Sequence, residues 1–429
     1  MTAVPPIPLV RGWCPGALRP MATGDGLLVR LHPRGGRLTM AELRLIARLA
    51  RGTGNGLVDL TGRGNLQIRG VSPESHGVLV EGLVAGGLVA PDEQDGPYRL
   101  TVVSPLAGRD PDELLDAAAL AAAIEALRPK LSGLPPKAAV LVDGGGALPL
   151  DAEPAELRLK AVAPDEALVG LAGGLWFGPA RLSLLPALVE SLMRLIAAGA
   201  ERATPPARRL KDVPRGRLTE VLAAFGCSPA TAPAPRASAA RVGTLRGRDG
   251  RLALLFGVPF GRCDAAGLEA LADIADAAGA DGFGLAPWRG FAMTGLAEAE
   301  PGWGRIAAAG FITRADDPRL VVRACPGAPA CSRGAAPAQI DAARLAQAAA
   351  GRIAAGLTLH VSGCAKGCAG AGIADVTLVG HEGAYQVVLG GTAGDRPVAR
   401  LGADDLVSLL ARPGGIDPIP EEFRHRDDR

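Results

Sequence analysis

The sequence predicts an α+β fold made of two copies of one unit, of which only the second carries a set of clustered cysteines. Residues 27–70 match residues 253–296 at a constant offset of 226. The same order of strands, turns and helices occurs in both halves. Four cysteines at ligand spacing occur only in the second half. The matched positions are Leu28 with Leu254, Pro33 with Pro259, Gly35 with Gly261, Gly56 with Gly282, Arg63 with Arg289 and Gly64 with Gly290.

Each copy begins with an apolar strand, predicted at residues 26–31 and 252–258. A Pro/Gly turn leads from this strand into a helix, predicted at residues 39–51 and 264–278. A glycine-marked turn and a second strand follow the helix in both copies. This shared order supports a duplication more strongly than the matched glycines alone.

The helix starts carry capping signals. Thr39 and Glu42 have the spacing of a capping box, and Asp264 is placed to cap the helix of the second copy. The first helix also has one apolar face, at the spacing expected of a helix packed on a core. That face consists of Leu43, Ile46, Ala47 and Ala50.

A second kind of segment follows each copy, and it reads as strand, helix, strand. Its strands are predicted within residues 98–105 and 135–143 after the first copy, and within 320–325 and 357–364 after the second. The Pro/Ala/Ser-rich residues 227–243 between the halves are predicted to be a linker. A duplicated scaffold with one cluster site follows from this pattern.

The composition excludes several classes of function. The 429 residues carry a net charge of +2 and are 48% hydrophobic, which allows a large core divided among several domains. The 46 basic and 44 acidic residues nearly balance, so the composition does not indicate a nucleic-acid partner. No secretory leader and no membrane span is recognised, so we expect a cytoplasmic protein with reduced thiols.

Four cysteines form two close pairs near the C-terminus. Five residues separate Cys325 from Cys331, and three separate Cys364 from Cys368. A cubane iron–sulfur cluster takes one protein sulfur per iron, which four thiolates supply. Structural zinc and buried thiols are the alternatives, although zinc pairs are usually spaced by two to four residues. The remaining cysteines are expected to be inert: Cys14, Cys227 and Cys263.

Polar residues alternate along residues 59–70. A strand over this stretch would place Arg63, Asn65, Gln67 and Arg69 on one face. Guanidinium groups bind carboxylates with two parallel hydrogen bonds, so this row suits a ligand with several carboxylates. The alternative is the solvated face of an edge strand.

The cysteine spacing and this polar row together resemble the nitrite/sulfite reductase superfamily. The resemblance implies an internally duplicated fold with ferredoxin-like half-domains and two α/β sandwich-like domains, one holding a [4Fe–4S] cluster. It also implies that Thr61, Arg63 and Gln67 contact the carboxylates of a tetrapyrrole. Arg30 and Lys137 match further residues of the family's cavity.

Two differences from the sequence pattern of the reductases indicate which branch of the superfamily the chain resembles. Ala139 stands where the reductases carry a second lysine, and the last cysteine pair encloses Ala-Lys366-Gly instead of Pro-Asn-x. With the opening Arg-Gly-Trp-Cys14-Pro, these features resemble the precorrin-3B synthase branch. That branch implies an iron–sulfur monooxygenase of cobalamin biosynthesis, which hydroxylates precorrin-3A at C20 with dioxygen and closes a γ-lactone.

The resemblance also sets the expected ligands and partners. They are a [4Fe–4S] cluster held by the four cysteines, a mononuclear non-haem iron, precorrin-3A, dioxygen and an electron donor that the sequence does not identify. The expected substrate-binding residues are Arg30, Arg63, Asn65, Gln67, Arg69, Lys137 and Arg289. His32 and His360 could face the cavity, but no histidine is assigned to the second iron. The main alternative is a sirohaem-dependent nitrite or sulfite reductase, and a non-catalytic tetrapyrrole carrier is a third possibility.

The expected domains follow the duplication. They are a first ferredoxin-like half-domain at 1–85, a cluster-less sulfite reductase-like domain at 86–226, the linker at 227–243, a second half-domain at 244–310 and a cluster-binding domain at 311–429.

Overall fold

The computed structural model describes residues 14–91, 99–135, 138–202, 209–237, 240–298, 300–370 and 372–412. The first copy contains β1 (Met21–Thr23), β2 (Gly26–Leu31), β3 (Arg37–Leu38), α1 (Met40–Thr53), β4 (Leu57–Leu60), β5 (Leu66–Val71) and α2 (Pro73–Ala85). The strand at 26–31 and the capping box of α1 are as predicted, because Thr39 and Glu42 exchange their hydrogen bonds. The predicted apolar face of α1 is fully buried.

The segment after the first copy forms a six-stranded sheet with helices against it. It contains β6 (Thr101–Val103), α3 (Ala117–Glu125), β7 (Val140–Asp143), β8 (Leu157–Ala163), β9 (Glu166–Leu171), β10 (Leu175–Arg181), α4 (Leu185–Arg202), α5 (Arg215–Ala224) and β11 (Pro229–Ala230). Among the described residues, α4 belongs to the one stretch long and apolar enough to cross a membrane. Its Leu188, Leu192 and Ile196 are instead fully buried in the core of this segment.

The second half repeats these elements. The second copy contains β12 (Gly243–Arg246), β13 (Leu252–Gly257), β14 (Arg262–Asp264), α6 (Ala265–Ala277), β15 (Gly282–Ala286), β16 (Gly290–Leu296) and α7 (Glu300–Ala308). The last segment contains β17 (Arg323–Ala324), α8 (Ala338–Ala348), α9 (Ala350–Ala354), β18 (Leu359–Ser362), β19 (Ala374–His381), β20 (Ala384–Gly391), β21 (Ala399–Leu401) and α10 (Ala403–Leu410). Asp264 caps α6 as predicted, accepting from the Gly267 amide.

Sheet topology shows the duplication directly. The sheet β6-β7-β8-β9-β10-β11 begins with two parallel pairs and continues with antiparallel pairs. The sheet β17-β18-β19-β20-β21 has the same sequence of pairings. The two halves therefore share one topology, although only the second has the cysteines.

The two copies exchange short strands. The first sheet runs β1-β2-β5-β4-β14, and the other runs β12-β13-β16-β15-β3, so each ends in a strand of the other copy. In the register, Arg262 lies opposite Asp59, and Leu38 lies opposite Phe283. Helices α1 and α6 pack against each other, and one hydrophobic core contains side chains of both copies. The two copies are thus a single packed unit.

The predicted linker is attached to the fold. Within 227–243, β11 pairs with β10, and both Nη atoms of Arg236 donate to groups of the β7 loop. The Arg236 Nη2 atom lies 2.6 and 2.7 Å from the two carboxylate oxygens of Asp143. The domain boundaries given above remain predictions.

Candidate active site

The four cysteines lie on two loops that leave neighbouring strands. Cys325 directly follows β17, and Cys364 lies two residues after β18. These strands are parallel, so their carboxyl ends lie at the same edge of the sheet. The Gly363 amide donates to Cys325 Sγ at 3.0 Å, which joins the two loops directly. Cys325 is buried, Cys331 and Cys364 are half-buried, and Cys368 is exposed.

The surroundings of Cys325 and Cys368 disfavour their thiolate forms. Burial raises the pKa of Cys325, against the backbone amides of Gly363 and Gly327 that lower it, and neighbouring Cys364 and Cys331 raise it further. Partial desolvation of its sulfur raises the pKa of the otherwise exposed Cys368, Lys366 lowers it, and the other three cysteines raise it. Thiols such as Cys325 and Cys368 become thiolate ligands most readily when a cationic group lies among them. This donor set fits an iron–sulfur cluster.

Glycines allow the cysteine loops to pack closely. A Cβ atom on Gly363 would lie 2.9 Å from Gly327 Cα, and one on Gly380 would lie 2.6 Å from the Gly363 carbonyl oxygen. A Cβ on Gly24, in the hairpin of the first copy, would collide with the Pro329 carbonyl oxygen. The loops between the cysteines therefore fit only against bare backbone.

The cysteines are not arranged around one ion. Within the described ranges, no three His, Cys, Asp or Glu side chains converge on a single-metal site. A single zinc ion needs such convergence, whereas a cubane binds each cysteine at a different iron. The choice of a cluster over zinc stays a prediction from the cysteine spacing. The described part of the chain also shows no ligand set for a mononuclear iron.

A polar wall from the first copy contains Arg30 and Gln67, which face each other across β2 and β5. With its amide oxygen turned toward Arg30, Gln67 accepts from Nε at 2.9 Å and from Nη2 at 2.5 Å. Gln67 and Asn65 are both buried, and Asn65 Oδ1 has no hydrogen-bond partner among the described residues. Of the predicted ligand-binding residues, Arg30 and Gln67 are thus hydrogen-bonded to each other. The amide oxygen of Asn65 has no donor among the described residues.

The prediction of one strand over residues 59–70 is wrong at its centre. Residues 61–65 form a turn, and β5 begins only at Leu66. Thr61 Oγ1 accepts from the amides of Arg63 and Asn65, and Gly64 has a φ of 64°, which interrupts the strand. Arg63 therefore lies on a turn and not in the row with Gln67. Burial lowers the pKa of Arg63, so an anion would stabilise its charged form.

Arg69 does not have the position expected of a substrate ligand. Its Nε and Nη2 donate to Asp25 at 2.9 and 2.8 Å, and its Nη1 donates to Asp59 at 3.1 Å. Nη2 also donates to the Ala330 carbonyl oxygen, at 2.6 Å, in the loop between Cys325 and Cys331. Two carboxylates already neutralise this buried guanidinium. We therefore correct its role from carboxylate binding to holding the cysteine loop.

Arg289 connects the second copy to the other cysteine loop. It occupies the position that matches Arg63, and its Nη2 donates to the Ala369 carbonyl oxygen at 3.2 Å, directly after Cys368. Its backbone φ of 67° lies in the left-handed region, which is unusual for a residue with a side chain. Burial lowers the pKa of Arg289, and nearby Asp59, Cys325 and Glu153 raise it. Each cysteine loop is thus held by one arginine, and the two arginines come from different copies.

Arg99 is a site residue that the sequence reasoning missed. Its Nη1 donates to the carbonyl oxygens of Pro33 and Gly64, and its Nη2 donates to that of Arg63. Burial lowers the pKa of Arg99 to about 10. The contacts fix the turn that presents Arg63. The one signal for this role in the sequence is an arginine at the start of the segment predicted to contain a strand, residues 98–105.

The two histidines differ in their surroundings. Burial lowers the pKa of His32 to about 2, and Arg30, Arg99 and Arg128 lower it further, which places His32 among the basic residues. His360 lies on β18 and is fully buried.

Lys137 and His425 lie outside the described residues, so the Lys137 prediction is not tested. Ala139 is buried.

Comparison with known proteins identifies the chain. Residues 19–86 match the nitrite/sulfite reductase ferredoxin-like half domain. A precorrin-3B synthase from Sinorhizobium sp is 33% identical over 429 aligned residues, which cover 95% of this chain and 88% of that relative. The chain belongs to the precorrin-3B synthase family. The resemblance stated from the motifs is therefore confirmed.

Relatives of the precorrin-3B synthase family place it among the nitrite and sulfite reductases. A ferredoxin–nitrite reductase from Leptolyngbya laminosa is 29% identical over 140 residues, covering 31% of this chain and 27% of that protein. A chloroplastic ferredoxin–nitrite reductase from Oryza sativa subsp. japonica is 37% identical over 90 residues, covering 21% and 15%. These matches are partial, which favours the synthase assignment over the reductases.

The fold of this precorrin-3B synthase family member is that of the nitrite/sulfite reductases. The NirA protein of Mycobacterium tuberculosis superposes with a TM-score of 0.73 at 22% identity, covering 94% of this chain and 82% of that structure. The predicted α+β, internally duplicated, reductase-like fold is confirmed. The cluster remains a proposal.

Proposed function

We propose that this chain is an oxidoreductase that converts precorrin-3A to precorrin-3B, by oxygen-dependent hydroxylation at C20 with closure of a γ-lactone. The observation that carries the proposal is the meeting of both copies at the cysteine loops. Arg69 of the first copy binds Ala330, and Arg289 of the second binds Ala369. Basic residues of both copies thus lie next to the set of redox-type ligands.

The four cysteines would hold a [4Fe–4S] cluster. When bound, the cluster would supply electrons one at a time for the activation of dioxygen. The chain's own contribution is to hold the four cysteines close to one another. Gly363 and Gly327 donate amide hydrogens to Cys325, and Lys366 lowers the pKa of Cys368, so both favour the thiolate forms that bind iron.

Substrate binding would use the predicted basic and amide residues of the two copies. Arg30, Arg63 and Arg289 would be the cationic groups for the carboxylates of precorrin-3A, with Gln67 and Asn65 as amide partners; Lys137 remains a prediction. Each charge-assisted hydrogen bond in such a desolvated site contributes about 1.5–3 kcal/mol. The buried arginines also exclude water and fix the orientation of the macrocycle, which brings one edge to the reacting position.

The electron balance requires a donor. One atom of dioxygen would enter the product and the other would leave as water, with two electrons from an external reductant. The described residues offer no ligand set for a mononuclear iron, so no step of the reaction is assigned to one. We also propose a cytoplasmic location, as expected for a chain with seven free cysteines.

The sirohaem-dependent nitrite or sulfite reductase reading is less well supported. Its relatives match 31% of this chain or less, and Ala139 replaces the lysine that would donate to a bound oxyanion. A buried alanine leaves that proton donor missing. The cavity can then hold a tetrapyrrole as substrate where the reductases hold one as cofactor.

The deciding experiment compares two reactions of one preparation. Anaerobically purified, cluster-reconstituted protein is supplied with a chemical reductant and either precorrin-3A in ¹⁸O₂ or nitrite in the absence of oxygen. We expect a product that carries one ¹⁸O atom and no reduction of nitrite. Ammonium formation with sirohaem absorption bands would transfer the assignment to the reductases. The Cys325→Ser variant should lose iron, whereas the Cys227→Ala variant should keep it.

A further inference from the structure

His360 lies at the centre of the sheet that supports the cysteine loops. It is on β18, opposite Arg323 of β17 and Thr377 of β19, and none of its surface is exposed. Its neighbours Leu359 and Val361 point into the hydrophobic core, so His360 and Ser362 point to the opposite face of the sheet. On that face, Ser362 Oγ donates to the Cys364 carbonyl oxygen at 2.7 Å. His360 therefore lies on the same side as the second cysteine loop.

Both ring nitrogens of His360 lack a partner. Neither Nδ1 nor Nε2 has a hydrogen bond to any described residue. A neutral imidazole has one donor and one acceptor, and burying both unsatisfied is unfavourable. Thr377 does not help, because its hydroxyl donates to the Gly391 carbonyl oxygen. The ring thus has two buried nitrogens that no described residue satisfies.

The surroundings show where a partner of these nitrogens would lie. A Cβ atom placed on Gly367 would be 3.8 Å from His360 Cε1, so the ring packs under the turn between Cys364 and Cys368. Gly367 has a φ of 60°, and this bare position lets the turn approach the ring. Burial lowers the pKa of His360 to about 4, and Arg323 and Arg289 lower it further. The imidazole is therefore neutral at pH 7 and carries one N–H.

We propose that His360 donates this N–H to a sulfur atom of the cluster held by Cys364 and Cys368, and so stabilises the reduced cluster. The inference rests on the proposed function, because it requires the cluster. Reduction adds negative charge to the sulfur atoms, and a hydrogen-bond donor stabilises the more negative state. His360 is a positioning residue that sets how readily the centre accepts an electron.

The first test uses the reduction potential. The His360→Phe and His360→Gln variants are reconstituted anaerobically, and iron content and midpoint potential are measured by titration followed by electron paramagnetic resonance. The control is His381→Gln, an exposed histidine on β19 of the same sheet. In the phenylalanine variant we expect the equilibrium constant for reduction of the cluster to fall at least tenfold. For a one-electron couple this lowers the midpoint potential by about 59 mV. The glutamine variant, which keeps a donor, should recover part of the loss. An unchanged midpoint in the phenylalanine variant would overturn the proposal.

The second test does not depend on the stability of a variant. Wild-type protein is labelled with ¹⁵N-histidine, and the reduced cluster is examined by pulsed electron paramagnetic resonance. We expect a ¹⁵N coupling from one histidine. The coupling should be absent from the His360→Gln protein, which has no labelled ring at this position. No ¹⁵N coupling in the wild type would exclude the contact while leaving the cluster assignment intact. Failure to detect any cluster in wild type, with the same iron content as Cys325→Ser, would instead remove the proposed function.

Discussion

Arg69 and Ala330 are 261 residues apart in sequence and 2.6 Å apart in space, where the guanidinium donates to the carbonyl oxygen of the cysteine loop. The same side chain pairs with Asp25 and Asp59 and is only 2% exposed. One buried charge thus links the sheet of the first copy to the loop that carries Cys325 and Cys331. The contact therefore ties the position of this loop to the first copy.

Replacing Arg69 should damage both stability and cluster loading. In Arg69→Gln, Asp25 and Asp59 lose a buried counter-ion, which typically costs about 3–5 kcal/mol. We expect a lower free energy of unfolding and a loss of iron per chain, measured by denaturant titration and metal analysis. The control is Arg44→Gln, whose half-exposed pairs with Asp273 and Asp276 should be worth about 0–1 kcal/mol. Equal effects in the two variants would contradict the role given to Arg69.

The close approach of the cysteine loops predicts a strong effect at a single glycine. In Gly363→Ala, the new methyl group would lie 2.9 Å from Gly327 Cα and would separate the two loops. We expect reduced iron incorporation after reconstitution, because Cys325 and Cys364 would no longer be held together. Gly351→Ala is the matched control, since nothing lies within 4 Å of its Cβ position. That helical change should be neutral or stabilising by about 0.5–1 kcal/mol.

Binding of the substrate should depend on Arg63. Removing its guanidinium in Arg63→Ala should cost about 1.5–3 kcal/mol, which weakens binding by roughly 10- to 150-fold. Anaerobic titration of precorrin-3A against the protein's absorption or fluorescence measures this change. Arg48→Ala, on the exposed side of α1, should bind as the wild type does. A normal affinity in Arg63→Ala would mean that the turn at 61–65 does not face the substrate.

Glu113 predicts a pH dependence of stability. Burial raises the pKa of Glu113 from 4.5 to about 7, and Asp110 and Asp116 act in the same direction, while the Gly108 amide opposes them. The folded state therefore holds its proton more tightly than the unfolded state between these values. Stability should fall as the pH rises from about 4.5 to 7, and then stop falling.

The Glu113→Gln variant should remove this component of the pH profile. Its amide oxygen can still accept from the Gly108 amide, so the packing is kept. Thermal or denaturant unfolding between pH 4.5 and 8 would measure the difference from wild type. Glu81→Gln, an exposed change on α2, should leave the profile unaltered. A parallel profile in the Glu113 variant would show that the carboxyl is ionised throughout.

Local features of the fold were predictable because their causes are local. The capping box of Thr39 and Glu42 lies within one turn of helix, and its hydrogen bonds form as the spacing indicates. The cysteine pairs were likewise readable from short spacings. The strand over residues 59–70 was overextended, since alternating polarity continued through Gly64, whose left-handed backbone ends the alternation. The Gly-Arg-Gly pattern contained that signal.

Long-range contacts were not predictable, and they decided the roles of the arginines. Arg63, Arg69 and Arg99 look alike in sequence, yet Arg69 is neutralised by two carboxylates and Arg99 binds three backbone carbonyls. These partners become neighbours only when the two copies and the cysteine loops pack together. No periodicity or spacing in the sequence tells which partners each of these arginines has in the folded chain.

The exchanged strands β3 and β14 make this chain the covalent equivalent of a strand-swapped dimer. Two separate halves would have to meet in solution to complete each other's sheets, and their assembly would depend on concentration. Tethering through residues 227–243 replaces that encounter with an intramolecular one at a fixed effective concentration. One half can then carry the four cysteines while the other does not, because no symmetry requires the two halves of one chain to be identical.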